Sequence, residues 1–492
     1  MMTTPIGLGA IYDLVNDVRL SGRALADEIQ RRAGILASLS FPPASRIVIA
    51  HGNSPAFFAD LFAVWQAGGC AVCVNPRLTD GELSNVVAFV QAAAVLVGRG
   101  EAVDGHGARV LCLAEEGRRG HAAPRACLSP DDPALILFTS GTTGEPKGVV
   151  HTRRSLSARI ALNLAYISRS NLSSSLCVLP THFGHGLIGN CLTPLAAGGE
   201  LFLFHGAGTA GAAALDRIID EHAIGFMSSV PSFWKLALRL AAPPRTRLDR
   251  VHIGSAPLSG ALWRDVIEWA GTDCVVNTYG ITETANWIGG ASARHFAPED
   301  GLVGKPWGGC VVLLDEDGTV LSQGSGEIAV QTPAIMAGYF RRDDLTKDVM
   351  TRGFYRTGDI GEIDEAGIVR LTGRQRYCIN RGGFKIYPEE LDLLLESHPD
   401  ITEACAFGIA DAVAGEMVGA AIRPRDGVGL NPQAVHQWIA RRIRSEACPD
   451  RLFILDAIPK TDRGKLNRDR VAAACMASEK ANAAQPPRER VA

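Results

Sequence analysis

The segment LILFTSGTTGEPKGVVHT, residues 135–152, constrains this chain more than any other feature. An apolar run that predicts a buried strand leads into a loop of serine, threonine and glycine, and a helix pattern follows. Glycines let a backbone approach a ligand closely, successive amides and hydroxyls can donate to phosphate oxygens, and a lysine adds positive charge. The loop therefore predicts a polyphosphate site. Its candidate phosphate-binding residues are Thr139, Ser140, Gly141, Thr142, Thr143, Gly144 and Lys147.

The nearest generic motif, the P-loop, does not fit this segment. A P-loop requires Gly-x-x-x-x-Gly-Lys-Ser/Thr, whereas Gly144 is followed by Glu145 and Pro146 before Lys147 is reached. A glycine-rich turn without a ligand is the other interpretation of the loop taken alone.

The chain is long enough, at 492 residues, for two to four domains of roughly 150 residues each. Short apolar runs such as 46–50 and 70–74 alternate with helical patterns such as 54–69, which predicts an α/β fold with a largely parallel sheet. Short strands and tight turns fill 300–375 and predict a β-rich subdomain.

A smaller pattern of strands and helices follows, and we place a domain boundary near Arg376. The predicted division is a large domain over 1–375, a small domain over 376–475 and a disordered tail over 476–492, which is polar and rich in alanine.

Charge and composition narrow the functional classes. Forty-nine basic and fifty-two acidic side chains give a formal net charge of −3, which predicts no nucleic-acid partner and no anionic membrane partner. No apolar run reaches the roughly 18 residues of a membrane-spanning helix, and the start of the chain does not have the pattern of a leader peptide. Twelve scattered cysteines fit a reducing compartment, so we expect a cytoplasmic protein.

Five further motifs follow the glycine-rich loop along the chain. They are GSAPLS at 254–259, NTYGITET at 277–284, YRTGD at 355–359, GRQRYCINRGGFKIYPEELD at 373–392 and PKTDRGKLNR at 459–468. With the loop they resemble, in the same order, the adenylate-forming superfamily of acyl- and aryl-CoA synthetases, adenylation domains and beetle luciferases. The resemblance implies a large N-terminal domain with two helix-flanked sheets and a β-barrel-like part, followed by a small mobile α+β domain.

The same resemblance implies a nucleotide site. Tyr279 would stack on adenine, Thr282 would bond the α-phosphate and Glu283 would help to hold Mg²⁺, for which one or two protein carboxylates suffice beside phosphate oxygens. Asp359 would accept hydrogen bonds from the ribose hydroxyls and Arg374 would reach the ribose, although an isolated Thr-Gly-Asp reads as a capped turn. Further residues expected to line the nucleotide pocket are Ser255, Ala256, Pro257, Asn277 and Gly280.

Three features of the predicted small domain are expected to serve the reaction steps. Lys465 is the candidate adenylation lysine, because attack of a carboxylate on the α-phosphorus concentrates negative charge that an ammonium group stabilises. Arg376 occupies the hinge position, where the family usually has aspartate or lysine, and could still act as a pivot. By resemblance, Gly382, Gly383 and Lys385 belong to a thioester-forming face along which a pantetheine arm passes.

The pocket for the acid is expected around 179–190 and 278–287. His182 and Phe183 are candidates for the ring that separates the acid from ATP, with His182 placed among the catalytic residues. His185 is either a polar contact for the acid or a packed core residue. Members of the superfamily that activate amino acids carry an aspartate in this region to pair with the α-amine. None lies between 178 and 190, so the resemblance disfavours an amino acid and leaves aromatic, alicyclic and medium-chain acids open. The remaining expected pocket residues are Gly184, Thr278 and Trp287.

The sequence thus predicts an AMP-forming acid–CoA ligase that uses ATP, Mg²⁺ and CoA on a small carboxylic acid. Transfer of the acyl group to a carrier protein or another nucleophile is the alternative. A non-catalytic nucleotide-binding protein is a more remote one, and phosphoryl transfer with release of ADP is a third. The sequence makes no prediction of oligomeric state.

Overall fold

The computed structural model of the chain describes residues 8–117, 128–139, 147–204, 209–381, 384–411, 414–461 and 465–483. The strands, in chain order, are β1 (Ile11–Asp13), β2 (Val18–Leu20), β3 (Arg46–Ile49), β4 (Cys70–Cys73), β5 (Ala94–Leu96), β6 (Arg109–Leu111), β7 (Pro133–Thr139), β8 (Lys147–Thr152), β9 (Ser174–Cys177), β10 (Glu200–Leu203), β11 (Phe226–Ser229), β12 (Arg250–Gly254), β13 (Val275–Ile281), β14 (Asn286–Ser292), β15 (Leu302–Pro306), β16 (Cys310–Leu314), β17 (Val320–Leu321), β18 (Gly324–Gln331), β19 (Gly338–Tyr339), β20 (Met350–Thr351), β21 (Phe354–Ile363), β22 (Val369–Arg374), β23 (Ile379–Arg381), β24 (Phe384–Ile386), β25 (Ile401–Asp411), β26 (Gly415–Pro424) and β27 (Arg451–Ile454).

The helices separate these strands. They are α1 (Gly22–Ser38), α2 (Pro55–Gln66), α3 (Asp80–Val90), α4 (Arg153–Tyr166), α5 (Thr193–Ala197), α6 (Thr209–Ala213), α7 (Leu215–His222), α8 (Pro231–Leu240), α9 (Gly260–Ala270), α10 (Asp343–Asp348), α11 (Pro388–Glu396), α12 (Pro432–Ala440) and α13 (Arg468–Ala483), with a π-helix at His185–Leu192. None of the helices in the described ranges combines the length and the apolar character needed to cross a membrane.

Local sequence signals explain how helices such as α2 begin and end. Ser54 caps α2 by accepting a hydrogen bond from the amide of Phe57, and Pro55 occupies its first turn. Gly68 follows the helix with a φ of 83°, a left-handed conformation that favours glycine. Leu61 and Trp65, on the apolar face, are buried in the main core. The sequence prediction of this helix is confirmed.

The first sheet has the strand order β19-β8-β7-β4-β3-β5-β6. Its central strands β3, β4, β5 and β7 are parallel, as the alternation of strands and helices predicted. The expectation that a helix directly follows the glycine-rich loop is wrong. Residues 147–152 form β8, which pairs antiparallel with β7 because Val149 and Val150 pack into the sheet, and α4 begins only at Arg153.

The second sheet runs from the parallel strands β9 to β13 into the antiparallel β-rich segment. The link is made by β14, which pairs antiparallel with β13 on one side and with β15 on the other. The short strands expected over 300–375 are therefore continuous with this sheet through β15 and β22. The carboxyl ends of β11, β12 and β13 meet at one edge, where ligands of open α/β sheets bind.

A third sheet, β24-β23-β26-β25 with β27 beside β26, belongs to the last hundred residues. Helix α13 packs against it through Val471 and Cys475, which are buried beside Phe407. Because this apolar face continues to Met476, residues 476–483 are helical rather than disordered as we had expected.

Candidate active site

A cluster joins Tyr279 and Asp359, which are buried, to Arg374, whose side chain is half exposed. Asp359 on β21 lies opposite Arg374 on β22, and Arg374 Nε is 2.7 Å from Asp359 Oδ1. Tyr279, on β13, donates from its hydroxyl to Asp359 Oδ2 at 2.6 Å. Asp359 is only 4% exposed, and the structure therefore brings together three residues that the sequence assigned separately to adenine and ribose.

Two groups of this cluster, the Tyr279 hydroxyl and the Arg374 guanidinium, are kept protonated by their surroundings. Burial, followed by the charge of Asp359, raises the pKa of the Tyr279 hydroxyl well above its usual value, so the group stays a donor. The charge of Asp359 likewise raises the pKa of the Arg374 guanidinium. The hydrogen bond between Tyr279 and Asp359 was not predicted, because it joins residues 80 positions apart.

The segment Thr282–Thr284 forms a tight 3-10 turn directly after β13. Its three carbonyl oxygens are each held by a donor from a different part of the fold. His151 Nε2 on β8 donates to Thr282 O at 2.8 Å, the Met336 amide donates to Glu283 O at 2.8 Å, and Arg159 Nε on α4 donates to Thr284 O at 3.1 Å. The backbone that carries Thr282 and Glu283 is thereby fixed from behind.

The side chain of Glu283 lies in a small polar cluster with two tyrosines. The Tyr339 hydroxyl donates to Glu283 Oε1 at 2.8 Å and lies 3.1 Å from the Tyr355 hydroxyl. Lys147 Nζ lies 5.5 Å from the centre of the Tyr339 ring. Lys147 therefore lies over the face of the same ring whose hydroxyl binds Glu283. Tyr339 was missed in the sequence analysis, because the segment GYFRRDD at 338–344 predicts only a short strand and a turn.

The glycine-rich loop is anchored at both ends by the first sheet. Thr139 and Lys147 pair with each other at the end of β7 and the start of β8. The other expected phosphate-binding residues, Ser140, Gly141, Thr142, Thr143 and Gly144, lie outside the described residues.

The carboxyl end of β12 leads into residues 254–257 of the GSAPLS motif. A Cβ on Gly254 would lie 2.4 Å from Thr278 Oγ1, so β12 and β13 approach closely here. Ser255 has a φ of 67°, a strained conformation for a residue with a Cβ. This turn also carries Ala256 and Pro257, and the assignment of these residues to the nucleotide pocket stays a prediction.

Two expected site residues on β13 have their side chains committed to the sheet. Asn277 donates from its amide to Leu302 O at 2.7 Å, and Thr278 donates from its hydroxyl to Ile253 O at 3.1 Å. Both residues are nearly fully buried. Gly280 lies next to them, and a Cβ there would lie 2.4 Å from Asn286 O. We attribute the choice of residue at 277, 278 and 280 to the close packing of β12, β13 and β14.

The π-helix forms the wall opposite β13. The rings of His182 and Phe183, just before it, lie 4.0 Å apart between centroids. Gly184 leaves open space, since a Cβ there would meet only Leu137 at 3.6 Å. Pi-helical turns are rare and concentrate at functional sites.

His185 opens this helix with both ring nitrogens occupied. Nδ1 is 2.8 Å from Ser255 Oγ and Nε2 is 2.6 Å from Ser228 Oγ. Burial, followed by the charge of Lys465, lowers the pKa of His185 to about 3, so the ring is neutral at neutral pH. The structure therefore favours the packed interpretation of His185. Trp287 closes this region, with its ring 5.8 Å from His185 and only 2% exposed.

Lys465 belongs to the third-sheet part of the chain, and its charge is the second cause, after burial, of the lowered pKa of His185. Ion pairs join the same two parts, among them Lys235 to Glu396 at 2.7 Å and Arg239 to Asp426 at 3.3 Å. The small part is thus held against α8.

The other candidate residues of the small part lie elsewhere. Lys385 forms an ion pair with Glu316 in the turn between β16 and β17, and the neighbouring Gly382 and Gly383 lie outside the described residues. Arg376, at the expected hinge, pairs with Asp469 at 3.1 Å.

The chain matches two family models. One describes an AMP-binding enzyme and matches residues 4–340. The other describes the C-terminal domain of AMP-binding enzymes and matches residues 390–465.

Curated relatives align along most of the chain. An oxalate–CoA ligase of Arabidopsis thaliana is 29% identical and covers 92% of this chain and 93% of its own. A feruloyl-CoA synthase of an Amycolatopsis species is also 29% identical, covering 92% of this chain and 94% of its own. The crystal structure of ATP-bound MatB from Rhodopseudomonas palustris matches with a TM-score of 0.84 at 24% identity, covering 95% of this chain and 96% of that one. At that identity the structural likeness shows the fold, a large N-terminal domain followed by a small C-terminal one.

Proposed function

This chain belongs to the AMP-binding enzyme family and is an acid–CoA ligase, and from that premise we propose which of its residues carry each step. The enzyme activates a carboxylic acid with ATP to an acyl-adenylate, releasing pyrophosphate. It then transfers the acyl group to CoA, which leaves a thioester and AMP. The observation that supports the residue assignment is the contact of Asp359 with Tyr279 at 2.6 Å and with Arg374 at 2.7 Å, which joins the motifs at 277–284, 355–359 and 373–392 in one cluster.

Nucleotide binding is assigned to the Tyr279 cluster and the glycine-rich loop. The carboxylate of Asp359 keeps lone pairs that can accept from ribose hydroxyls while Arg374 and Tyr279 hold it in place. Gly254 and Gly280 allow the strands to approach closely beside this position. Thr139 and Lys147, with the loop between them, would receive the phosphates.

Glu283 is the proposed protein ligand of Mg²⁺. Within the described ranges no group of three or more histidine, cysteine, aspartate or glutamate side chains is placed to hold a metal ion. A single carboxylate suits Mg²⁺ that is held mainly by phosphate oxygens and water, so Glu283 fits. The ion would neutralise phosphate charge as pyrophosphate leaves.

In the adenylation step, a carboxylate oxygen of the acid attacks the α-phosphorus of ATP and the bond to pyrophosphate breaks. Lys465 stabilises the negative charge that gathers at this phosphorus, and Thr282 holds an α-phosphate oxygen. The rings of His182 and Phe183 separate the acid from the nucleotide. We further propose a division of the chain at Arg376, with 376–475 turning between the two steps and Lys385 serving the CoA side.

A single assay series tests the function. Release of AMP and pyrophosphate from ATP and Mg²⁺ is measured over a panel of carboxylic acids, each with and without CoA. Turnover that is sustained only when CoA and one class of acid are both present is the expected result. Release of ADP instead of AMP, or turnover that ignores CoA, would contradict it. We propose the cytoplasm as its location, because twelve scattered cysteines fit a reducing compartment.

A further inference from the structure

Arg159 of α4 is a fully buried cation, and no ion pair joins it to a carboxylate among the described residues. It is 0% exposed, and its Nε donates to Thr284 O at 3.1 Å. Its Nη1 and Nη2 atoms have no hydrogen-bond partner within the described residues. Burial alone lowers the pKa of Arg159 to about 10, so it is still charged at neutral pH. Burying an unpaired charge is costly, which points to an anion that arrives with the ligand.

The surroundings of Arg159 are the walls of the acid pocket. Helix α4 packs against both the π-helix and β14. A second buried donor without a partner, Asn286 Nδ2, lies two residues beyond Thr284. Two buried acceptors without partners, Asn163 Oδ1 and Asn190 Oδ1, belong to α4 and to the π-helix. The three unpaired N–H-bearing atoms of Arg159 and Asn286 favour an acceptor with several oxygens.

The space between the π-helix and β14 beside Arg159 is narrow. A Cβ placed on Gly189 of the π-helix would lie 2.0 Å from Asn286 Nδ2 and 2.9 Å from the Trp287 ring. Close packing of this kind suits a short acid better than a long chain or a large ring system.

We propose that Arg159, together with Asn286, binds a second acidic group on a short acid whose other carboxyl group is activated. The distal group is a carboxylate or a sulfonate, since both present several oxygens to a guanidinium fork. Arg159 contacts Thr284, two residues from Thr282, and two residues span at most about 7 Å, so the two acidic groups are only a few bonds apart. The inference rests on the proposed function and narrows the class of acid that the enzyme activates. The names of the relatives do not settle that class, because oxalate and ferulate differ in size and charge.

The test compares acids of matched length with and without the second acidic group. Malonate, succinate and sulfoacetate are set against propanoate and butanoate in the AMP-release assay with CoA. The enzyme is compared with Arg159→Met, which removes the charge at similar volume, and with Arg159→Lys, which keeps the charge but loses the fork. Arg154→Met is the matched control, because Arg154 lies on the same helix with a 59% exposed side chain paired to Asp131.

The wild-type enzyme is expected to favour an acid with a second acidic group by at least tenfold in kcat/KM. Arg159→Met should lower that ratio by about 10²-fold or more, because the distal anion then enters a buried site without a partner. Arg159→Lys should be intermediate and Arg154→Met should keep the wild-type ratio. Thermal unfolding gives a second readout: malonate with AMP should raise the melting temperature of the wild type but not of Arg159→Met.

Two results would overturn the inference while leaving the function intact. One is a wild-type preference for the acids without the second group. The other is a kcat/KM that falls equally for every acid in Arg159→Met. That result would mean that Arg159 only supports Thr284 and that buried water completes its hydrogen bonds. If no acid supports AMP release, the proposed function is overturned, and this inference with it.

Discussion

The Tyr279 hydroxyl and the Asp359 carboxylate are joined by a buried hydrogen bond of 2.6 Å that links β13 to β21. In the proposed function this ring has two tasks, to offer a face to the nucleotide and to fix the carboxylate that receives the ribose. These tasks can be separated by removing the hydroxyl alone.

Tyr279→Phe keeps the ring and removes the donor to Asp359. We expect KM for ATP to rise about tenfold, with a smaller change in kcat, because losing one buried hydrogen bond to a carboxylate costs on the order of 1–3 kcal/mol. Steady-state kinetics at saturating acid and CoA measure this. Asp359→Asn should be the more severe change, and a Tyr279→Phe enzyme with an unaltered KM for ATP would separate Tyr279 from ribose positioning.

Lys465→Ala should block the first step and spare the second. We expect formation of acyl-adenylate to fall by roughly 10²–10³ because the charge at the reacting phosphorus is lost. Thioester formation from supplied acyl-AMP and CoA should continue. Lys460→Ala, which removes a nearby lysine that pairs with Glu403 at 2.8 Å, is the control. Equal loss of both steps in a folded Lys465→Ala protein would argue against separate arrangements for the two steps.

His151 is a positioning residue that acts through the Thr282 carbonyl. In His151→Leu we expect kcat to fall about tenfold with little change in KM for ATP, since the turn loses one of its three donors. Full kinetics with saturating and limiting ATP distinguish the two parameters. His436→Leu, on the exposed face of α12, should change neither. A change in KM alone would assign His151 to binding rather than to alignment.

Stability is expected to fall in mild acid. Burial lowers the pKa of His151 to about 4 and that of His185 to about 3, whereas both titrate near 6.5 when the chain is unfolded. Between pH 6.5 and 4 the unfolded state therefore binds more protons, and the free energy of unfolding rises with pH. Each histidine contributes up to roughly 2 kcal/mol between pH 6.5 and 5.

Denaturant unfolding at pH 7, 6 and 5 measures this dependence. His151→Leu should show a shallower slope than the wild type, while His436→Leu should keep it. A wild-type protein that is equally stable at all three pH values would mean that these rings are not held neutral.

The sequence predicted the parallel core and the order of the motifs because both are local signals. Ser54, Pro55 and Gly68 mark the ends of α2 without reference to the rest of the fold. The strand β8 was missed because its residues also suit the start of a helix, and only pairing with β7 decides between the two.

Residues that act by long-range contact could not be found in the same way. Arg159 reads as one of several arginines on a helix, and its burial depends on the π-helix and β14, which lie far away in sequence. Tyr339 likewise gains its importance only from Glu283 and Lys147. The motifs predict site residues from local patterns, whereas the contacts of Arg159 and Tyr339 are visible only in the three-dimensional structure.

The ion pairs Lys235–Glu396 and Arg239–Asp426 connect the two parts of the chain across a partly exposed surface. Such contacts weaken as dissolved ions screen them, with a Debye length of about 8 Å at physiological ionic strength. The buried hydrogen bond between Tyr279 and Asp359 is screened much less. In the proposed mechanism the small part turns between the two steps, and dissolved salt would then set how long it stays docked over the acyl-adenylate without altering that hydrogen bond.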